Sequence, residues 1–527
     1  MLARTRASFH HSIGTYRQVE SVSSTRQDRP GRRPLREDAN DGARAGALAD
    51  RLRAAVGAAK VLTDPAQLRT YACDGLATVR VTPSVVVLAE RREDVVAAVR
   101  LCAGAGVPFV ARGSGTGLSG GAVPVADGVL IVLSRLRAVR SVDPGNARVV
   151  VEPGVINLWV TREAAPYGQA YAPDPSSQQV CSIGGNVAEN AGGAHCLKYG
   201  FTVNHVMGAE VVLPDGEVVH LGGIAPEHPG FDLLGAFVGS EGTLGIATEV
   251  TVRTVQAPES VRTMLVGFHS VADAAGTVSD IIAGGILPAA VEMMDALAIE
   301  AAEAAVRCGY PQGAVAVLVI ELDGPRVEVD EQFLQVERIA AARHAFETRI
   351  ARDEDERALM WKGRKSAFAA VGRISPAYYV QDGVIPRTKL PEVLDEVGRL
   401  ADAAGIRVAN VFHAGDGNLH PLILFDDKVE GAAHAAEQLG FAILDLCVAS
   451  GGSITGEHGV GVEKKSRMAV QFSADDLDTM HRLRCAFDPA GLANPGKQFP
   501  TPRLCGERPG VRTAASEDHD PALGEVF

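Results

Sequence analysis

The sequence predicts an α+β fold, from three changes of pattern along its 527 residues. From Thr78 to about Gln256, β-branched runs alternate with glycine-rich loops. From about Val261 to Leu424, strands alternate with long amphipathic helices, as in an α+β domain built on a largely antiparallel sheet. From about Glu430 to Pro500 the chain is helix-rich and closes with FDPAGLANPGKQFP. These shifts divide it into 1–45, 46–257, 258–429, 430–500 and 501–527.

The first 45 residues are rich in Arg, Ser and Thr with few apolar clusters. They read as a disordered basic tail or, since arginine outnumbers acid, as a transit-peptide-like leader. SVVVLAE (84–90) is a strand, EDVVAAVRLCAGAG (93–106) has helical apolar spacing, and VPFVA (107–111) is a short buried strand. GVLIVLS (128–134) and RVVVEPG (148–154) are further strands. GAEVVLPDGEVVHLG (208–222) is a hairpin turning at Pro214, Asp215 and Gly216. Beyond it, strands at 262–268, 314–321 and 406–411 alternate with helices near 270–284, 326–346 and 390–405. The last 25 or so residues read as a loose polar tail.

Bulk properties exclude several classes. A net charge of −13 gives no whole-chain attraction to nucleic acid or an anionic membrane. No uninterrupted apolar run reaches about 18 residues, which predicts no transmembrane segment. Eight scattered cysteines without a C-x-x-C pair predict no disulfide framework, zinc ribbon or chain-borne iron–sulfur cluster. That usage suits a reducing cytoplasm.

The stretch ARGSGTGLSGGAVP (111–124) spells G-x-G-x-x-G at Gly115, Gly117 and Gly120. A nicotinamide fingerprint needs a helix to follow. Here Pro124 and Asp127-Gly128 lead into another strand, and no Gly-Lys-Ser/Thr completes a P-loop. An anion nest of backbone N–H groups and a mobile surface loop both remain. Two more glycine-rich stretches lie between strands, at 173–216 and 237–253. Three such loops suggest one long ligand lying against backbone.

Further on, FHAGDGNLHPL carries His413 and His420, and ITGEHGVG carries Glu457 and His458. Two imidazoles and a carboxylate suit a divalent metal with open positions. A turn at Gly415-Asp416-Gly417 between two strand ends would bring both histidines to one ion. Taken alone, they fit two ordinary polar histidines better than a metal site.

Together the three glycine stretches resemble the FAD-binding domain of the vanillyl-alcohol oxidase type. From about Ala45 to Pro500 the chain resembles the family of the glycolate oxidase flavin subunit, with D-lactate and D-2-hydroxyglutarate dehydrogenases among its relatives. The resemblance implies a two-subdomain FAD-binding domain over 46–257 and a substrate cap domain over 258–429. The helical segment 430–500 would complete the active and flavin sites. Arg112, Gly113, Ser114, Gly115, Thr116, Gly117 and Ser119 would hold the FAD pyrophosphate. Pro173, Asp174, Ser177, Gly184, Asn186 and Asn190 would contact flavin and pyrophosphate, Glu241, Gly242 and Ile246 would lie near the adenosine, and Asn494 on the flavin side. The first loop has no histidine or cysteine, so FAD is expected to be non-covalent.

By the same resemblance His413, His420 and Glu457 bind zinc or a similar divalent ion, and His458 is the general base. Arg364, in MWKGRKSAF, takes the substrate carboxylate as a bidentate partner, unless it is a helix-surface arginine. The implied reaction oxidises a small 2-hydroxy acid to the 2-oxo acid. Val380 stands near where the 2-hydroxyglutarate enzymes have a lysine, which favours glycolate or D-lactate. The resemblance also implies an iron–sulfur partner subunit and a quinone acceptor, with the chain cytoplasmic or peripheral at the inner membrane through its partners. A D-2-hydroxyglutarate dehydrogenase, a metallohydrolase and a non-catalytic flavin partner subunit are the competing readings.

Overall fold

The computed structural model describes residues 39–225, 229–500 and 505, with side chains from Gly46 on. The expected tails at 1–45 and 501–527 fall almost wholly outside these residues. The chain from Arg44 onward forms one unit. The first described helix, Ala39–Val56, begins ahead of the expected boundary at 46.

Two sheets make the glycine-rich half. In the first, strands Val61–Leu62, Val85–Leu88, Val129–Val132 and Phe109–Arg112 lie in that spatial order. The last three are mutually parallel. Helix Arg92–Ala105 ends at Gly106, whose φ of +64° closes the left-handed cap. It buries Val95, Val99 and Cys102 against Val85, Val87, Phe109 and Ile131. Phe109–Arg112 and Val129–Val132 are parallel neighbours joined without a helix, through the loop read above. The second sheet is five-stranded and antiparallel, and contains the predicted hairpin as Val206–Val212 with Val218–Gly222.

The cap sheet has nine strands, all paired antiparallel. Both of its faces are covered, which is why its strands read as continuous apolar runs. Met264, Val266, Leu318, Ile320 and Phe412 face one core, under helices Val271–Ala283, Arg326–Ala342 and Leu390–Ala404. Leu265, Val317, Val319 and Val411 face the other, under Ala296–Val306 and Glu354–Val371. Truncating a ring as buried as Phe268 or Phe412 to alanine would cost about 3–5 kcal/mol.

One finding differs from expectation. Cys485 and Cys505 form a disulfide, which ties one point of the C-terminal stretch to helix Ala474–Phe487. Scattered spacing hides a pairing made by the return of the chain. Among the described residues, helix Ala432–Ala449 is long and apolar enough to cross a membrane by length and composition. His434, Glu437 and Asp445 interrupt its run. Its Ala436, Leu439, Ile443 and Cys447 belong to the core of the cap.

Candidate active site

A cavity of about 620 Å³ is lined by both ends of the chemistry read from the sequence: Gly113–Gly117 on one wall, His420, Glu457 and His458 on another. The glycine wall begins where strand Phe109–Arg112 ends. Gly115 has φ +69°, a conformation open to glycine. A Cβ on Gly113 would stand 2.2 Å from Ser182 Oγ, so backbone reaches the cavity unshielded. Among the described residues, the N–H groups of Ser114 to Gly117 find no protein acceptor. Ser119 Oγ and Ser182 Oγ are buried without a partner. Unspent backbone donors along a wall where every second residue is glycine fit the pyrophosphate of FAD.

The expected cofactor residues divide by position. Gly113 to Gly117, Ser177, Gly184, Asn186, Glu241 and Gly242 line the cavity, and Ile246 lines a small annex shared with Gly242. The others hold the walls. Arg112 Nη1 donates to the carbonyls of Cys73 (2.6 Å) and Tyr71 (3.3 Å). The Ser119 carbonyl accepts from Val462 N–H. Pro173 accepts from Asn157 Nδ2, and Asn190, at φ +50°, accepts from Val203 N–H. Asn494 Nδ2 donates to the carbonyls of Gly121 and Glu241. Asp174 is spent on His195, Oδ2 to Nδ1 at 2.9 Å, and His195 Nε2 reaches Glu321 Oε1 at 3.2 Å. Glu321 lies on cap strand Ala316–Gly324, so this chain of charges joins the two halves.

The histidines arrive as the turn at 415–417 requires. Strand Val408–His413 turns at Gly417 (φ +78°) into Asn418–Leu419, and His420 follows. Nε2 of His413 and Nε2 of His420 each lie 3.4 Å from Glu457 Oε1. His458 stacks on His420 with ring centres 4.9 Å apart, its Nε2 3.8 Å from the same oxygen. His420 Nε2 also lies 3.5 Å from Asp382 Oδ1, and neither ring nitrogen of this buried imidazole makes a well-aligned hydrogen bond. Three converging donors with an orphaned imidazole fit a divalent ion. Burial pushes the His458 imidazole down to about 4, so it stands neutral.

The sequence reading missed two carboxylates. Glu292, 1% exposed, sits in the apolar strand Ala290–Asp295 and accepts from His413 Nδ1 at 2.6 Å. That bond leaves His413 Nε2 facing Glu457, the tautomer control seen behind metal ligands. Asp382, fully buried, accepts from the N–H groups of Gly456, Glu457 and His458. Neither is marked by its local sequence: AVEMMD holds two acids, and Asp382 follows Gln381 in YYVQDGVIP.

Arg364 is placed differently from expectation. Helix Glu354–Val371 starts at an Asp353 cap and buries Met360, Trp361, Arg364, Ala367 and Val371 on one stripe. A cation on a buried stripe needs a partner, and Arg364 finds Glu292, Nε to Oε2 at 2.7 Å. Its guanidinium therefore lies behind His413, off the cavity wall. Burial raises the pKa of Glu292, but Arg364 and His413 outweigh it and hold the carboxyl below its usual value.

The chain matches the FAD binding domain over residues 83–222 and the C-terminal domain of FAD linked oxidases over 257–498. It is 51% identical over 456 residues to glycolate oxidase subunit GlcD of Escherichia coli, covering 86% of this chain and 91% of that one. It is 33% identical over 427 residues to D-lactate dehydrogenase of Anaerostipes hadrus, covering 79% and 89%. Among solved structures, p-cresol methylhydroxylase superposes with a TM-score of 0.73 at 17% identity, over 86% of this chain and 97% of that one, a likeness of fold.

Proposed function

The chain belongs to the FAD-linked oxidases and is an FAD-binding oxidoreductase, and from that premise we propose that it oxidises a small 2-hydroxy acid, glycolate or D-lactate, to the 2-oxo acid. One observation carries this reading: the glycine cradle and the cluster of His420, Glu457 and His458 are walls of a single cavity. Non-covalent FAD supplies a hydride acceptor there, and a divalent ion of the zinc type supplies Lewis acidity toward the hydroxyl.

The residues divide the remaining work. His413, His420 and Glu457 would hold the ion, and Glu292 keeps His413 Nε2 turned toward Glu457. His458, neutral and on the cavity wall, takes the substrate hydroxyl proton. Arg364 keeps Glu292 ionised behind His413. Val380 gives the cavity an apolar wall, which favours a monocarboxylate over 2-hydroxyglutarate, since a second carboxylate buried there would lack a cation. Electrons leave through an iron–sulfur partner subunit to quinone, with the chain in the cytoplasm or docked at the inner membrane by its partners.

The test is dye reduction. FAD-reconstituted protein should reduce an artificial acceptor with glycolate or D-lactate, and lose that activity on chelation. Hydrolytic activity in flavin-free protein with no dye reduction would favour a metallohydrolase instead.

A further inference from the structure

Residues 455–461 carry Glu457 and His458 but lie in no helix or strand. Their shape is imposed by two buried carboxylates from opposite halves of the protein. From the cap side, Asp382 Oδ2 accepts from Thr455 Oγ1 (2.7 Å), Gly456 N (3.0 Å) and His458 N (2.9 Å), with Lys464 Nζ at 3.2 Å. From the FAD side, Glu241 Oε1 accepts from Val460 N and Oε2 from Gly461 N, both at 2.7 Å.

Glu241 is held with unusual care. It is 3% exposed and sits at φ +52°, a conformation that strains a residue with a Cβ. Its N–H donates to the carbonyl of Ala188, and its carbonyl accepts from Asn494 Nδ2 at 2.6 Å. Asn494 Nδ2 also reaches the carbonyl of Gly121, in the first glycine loop. The carbonyl of Ser119, in the same loop, accepts from Val462 and Glu463 N–H. Burial raises the pKa of this carboxyl above its usual value, and the two peptide N–H groups of Val460 and Gly461, one on each oxygen, oppose that rise and favour the carboxylate.

We propose that Glu241 is a positioning residue that couples the FAD-holding glycine loops to the segment bearing Glu457 and His458. Filling the glycine cradle then orders the substrate side of the cavity. The catalytic consequence of this coupling, though not the coupling itself, rests on the reading that Glu457 and His458 act on the substrate.

Glu241→Gln keeps the size but turns an NH₂ toward one of the two peptide N–H groups. In the FAD-loaded variant, flavin reduction by substrate should slow about 10- to 100-fold, the range for residues that orient catalytic groups. The rate is compared at saturating FAD for both proteins, so that any change in cofactor affinity is kept apart from the loss of turnover. Hydrogen–deuterium exchange supplies a readout independent of turnover. In the wild type, adding FAD should slow exchange at 456–463, and in Glu241→Gln that slowing should be lost. A variant that bleaches at the wild-type rate and keeps the FAD-dependent protection overturns the proposal. If the variant does not fold, the wild type decides alone: absence of FAD-dependent slowing at 456–463 overturns it, and its presence supports it. A wild type that shows the protection but is bleached by no hydroxy acid sinks the functional reading and leaves the coupling standing.

Discussion

Glu292 and His413 stand directly opposite each other on adjacent antiparallel strands, Ala290–Asp295 and Val408–His413, joined at 2.6 Å from Nδ1 to Oε1. The strand register therefore decides which nitrogen of His413 is left for an ion. Glu292→Gln should weaken divalent-ion affinity about 10- to 100-fold. It also leaves Arg364 buried with its charge unmatched, a loss of about 3–5 kcal/mol. Metal titration and denaturant unfolding of the same sample check both parts. An unchanged ion affinity in a folded variant would contradict the assignment.

His458 is assigned as the base because it lines the cavity, stacked on His420. His458→Ala should keep FAD, because the neighbours of its ring are His420 and Glu457 of the histidine cluster. Substrate-driven flavin reduction should fall by at least about 100-fold, the lower end for loss of a general base. Normal bleaching in this variant would remove His458 from the chemistry.

Gly184 opens helix Ile183–Glu189 beneath the cavity. A Cβ there would lie 2.5 Å from Pro153 Cβ and 3.1 Å from its carbonyl oxygen. Gly184→Ala must push the helix off Pro153, at an overpacking cost of about 1–3 kcal/mol. FAD binding followed by flavin fluorescence should weaken correspondingly. Wild-type affinity would mean that this wall does not touch the cofactor.

His195 bridges Asp174 and Glu321, one carboxylate from each half. Burial lowers its pKa, but the two carboxylates outweigh that and raise it to about 10, from 6.5. A raised pKa stabilises the fold fully below the unfolded value and loses that contribution as pH climbs through the folded one. Stability should thus decline between pH 6.5 and about 10. His195→Gln should be less stable at neutral pH and show a flatter decline. Denaturant midpoints across that range measure it, and an identical slope in both proteins would count against the bridge.

Much of this was legible in the sequence, and the rest was hidden for a definite reason. The glycine runs at 111–124, 173–216 and 237–253 announced a backbone-lined cofactor wall, because only glycine serves there. The two histidines flanking Gly415-Asp416-Gly417 announced a turn that brings them together. Glu292 could not be seen this way: one of two acids in AVEMMD acquires meaning only when register sets it opposite His413. Arg364 was recognised by its motif, yet the stripe of Met360, Trp361 and Ala367 beside it already implied burial and hence a carboxylate partner. Asp382 and Glu241 work through backbone N–H groups far along the chain, and no local pattern records such a contact. The bridge between Cys485 and Cys505 was hidden by the same distance effect.

The central claim is that the glycine cradle and the histidine cluster serve one reaction on a 2-hydroxy acid. Anaerobic mixing of FAD-loaded protein with glycolate, D-lactate, L-lactate and D-2-hydroxyglutarate tests it most directly. Rapid bleaching of the flavin by glycolate or D-lactate, with little from 2-hydroxyglutarate, is the predicted result. A flavin that stays oxidised with all four acids, in protein shown to hold FAD and a divalent ion, would contradict it.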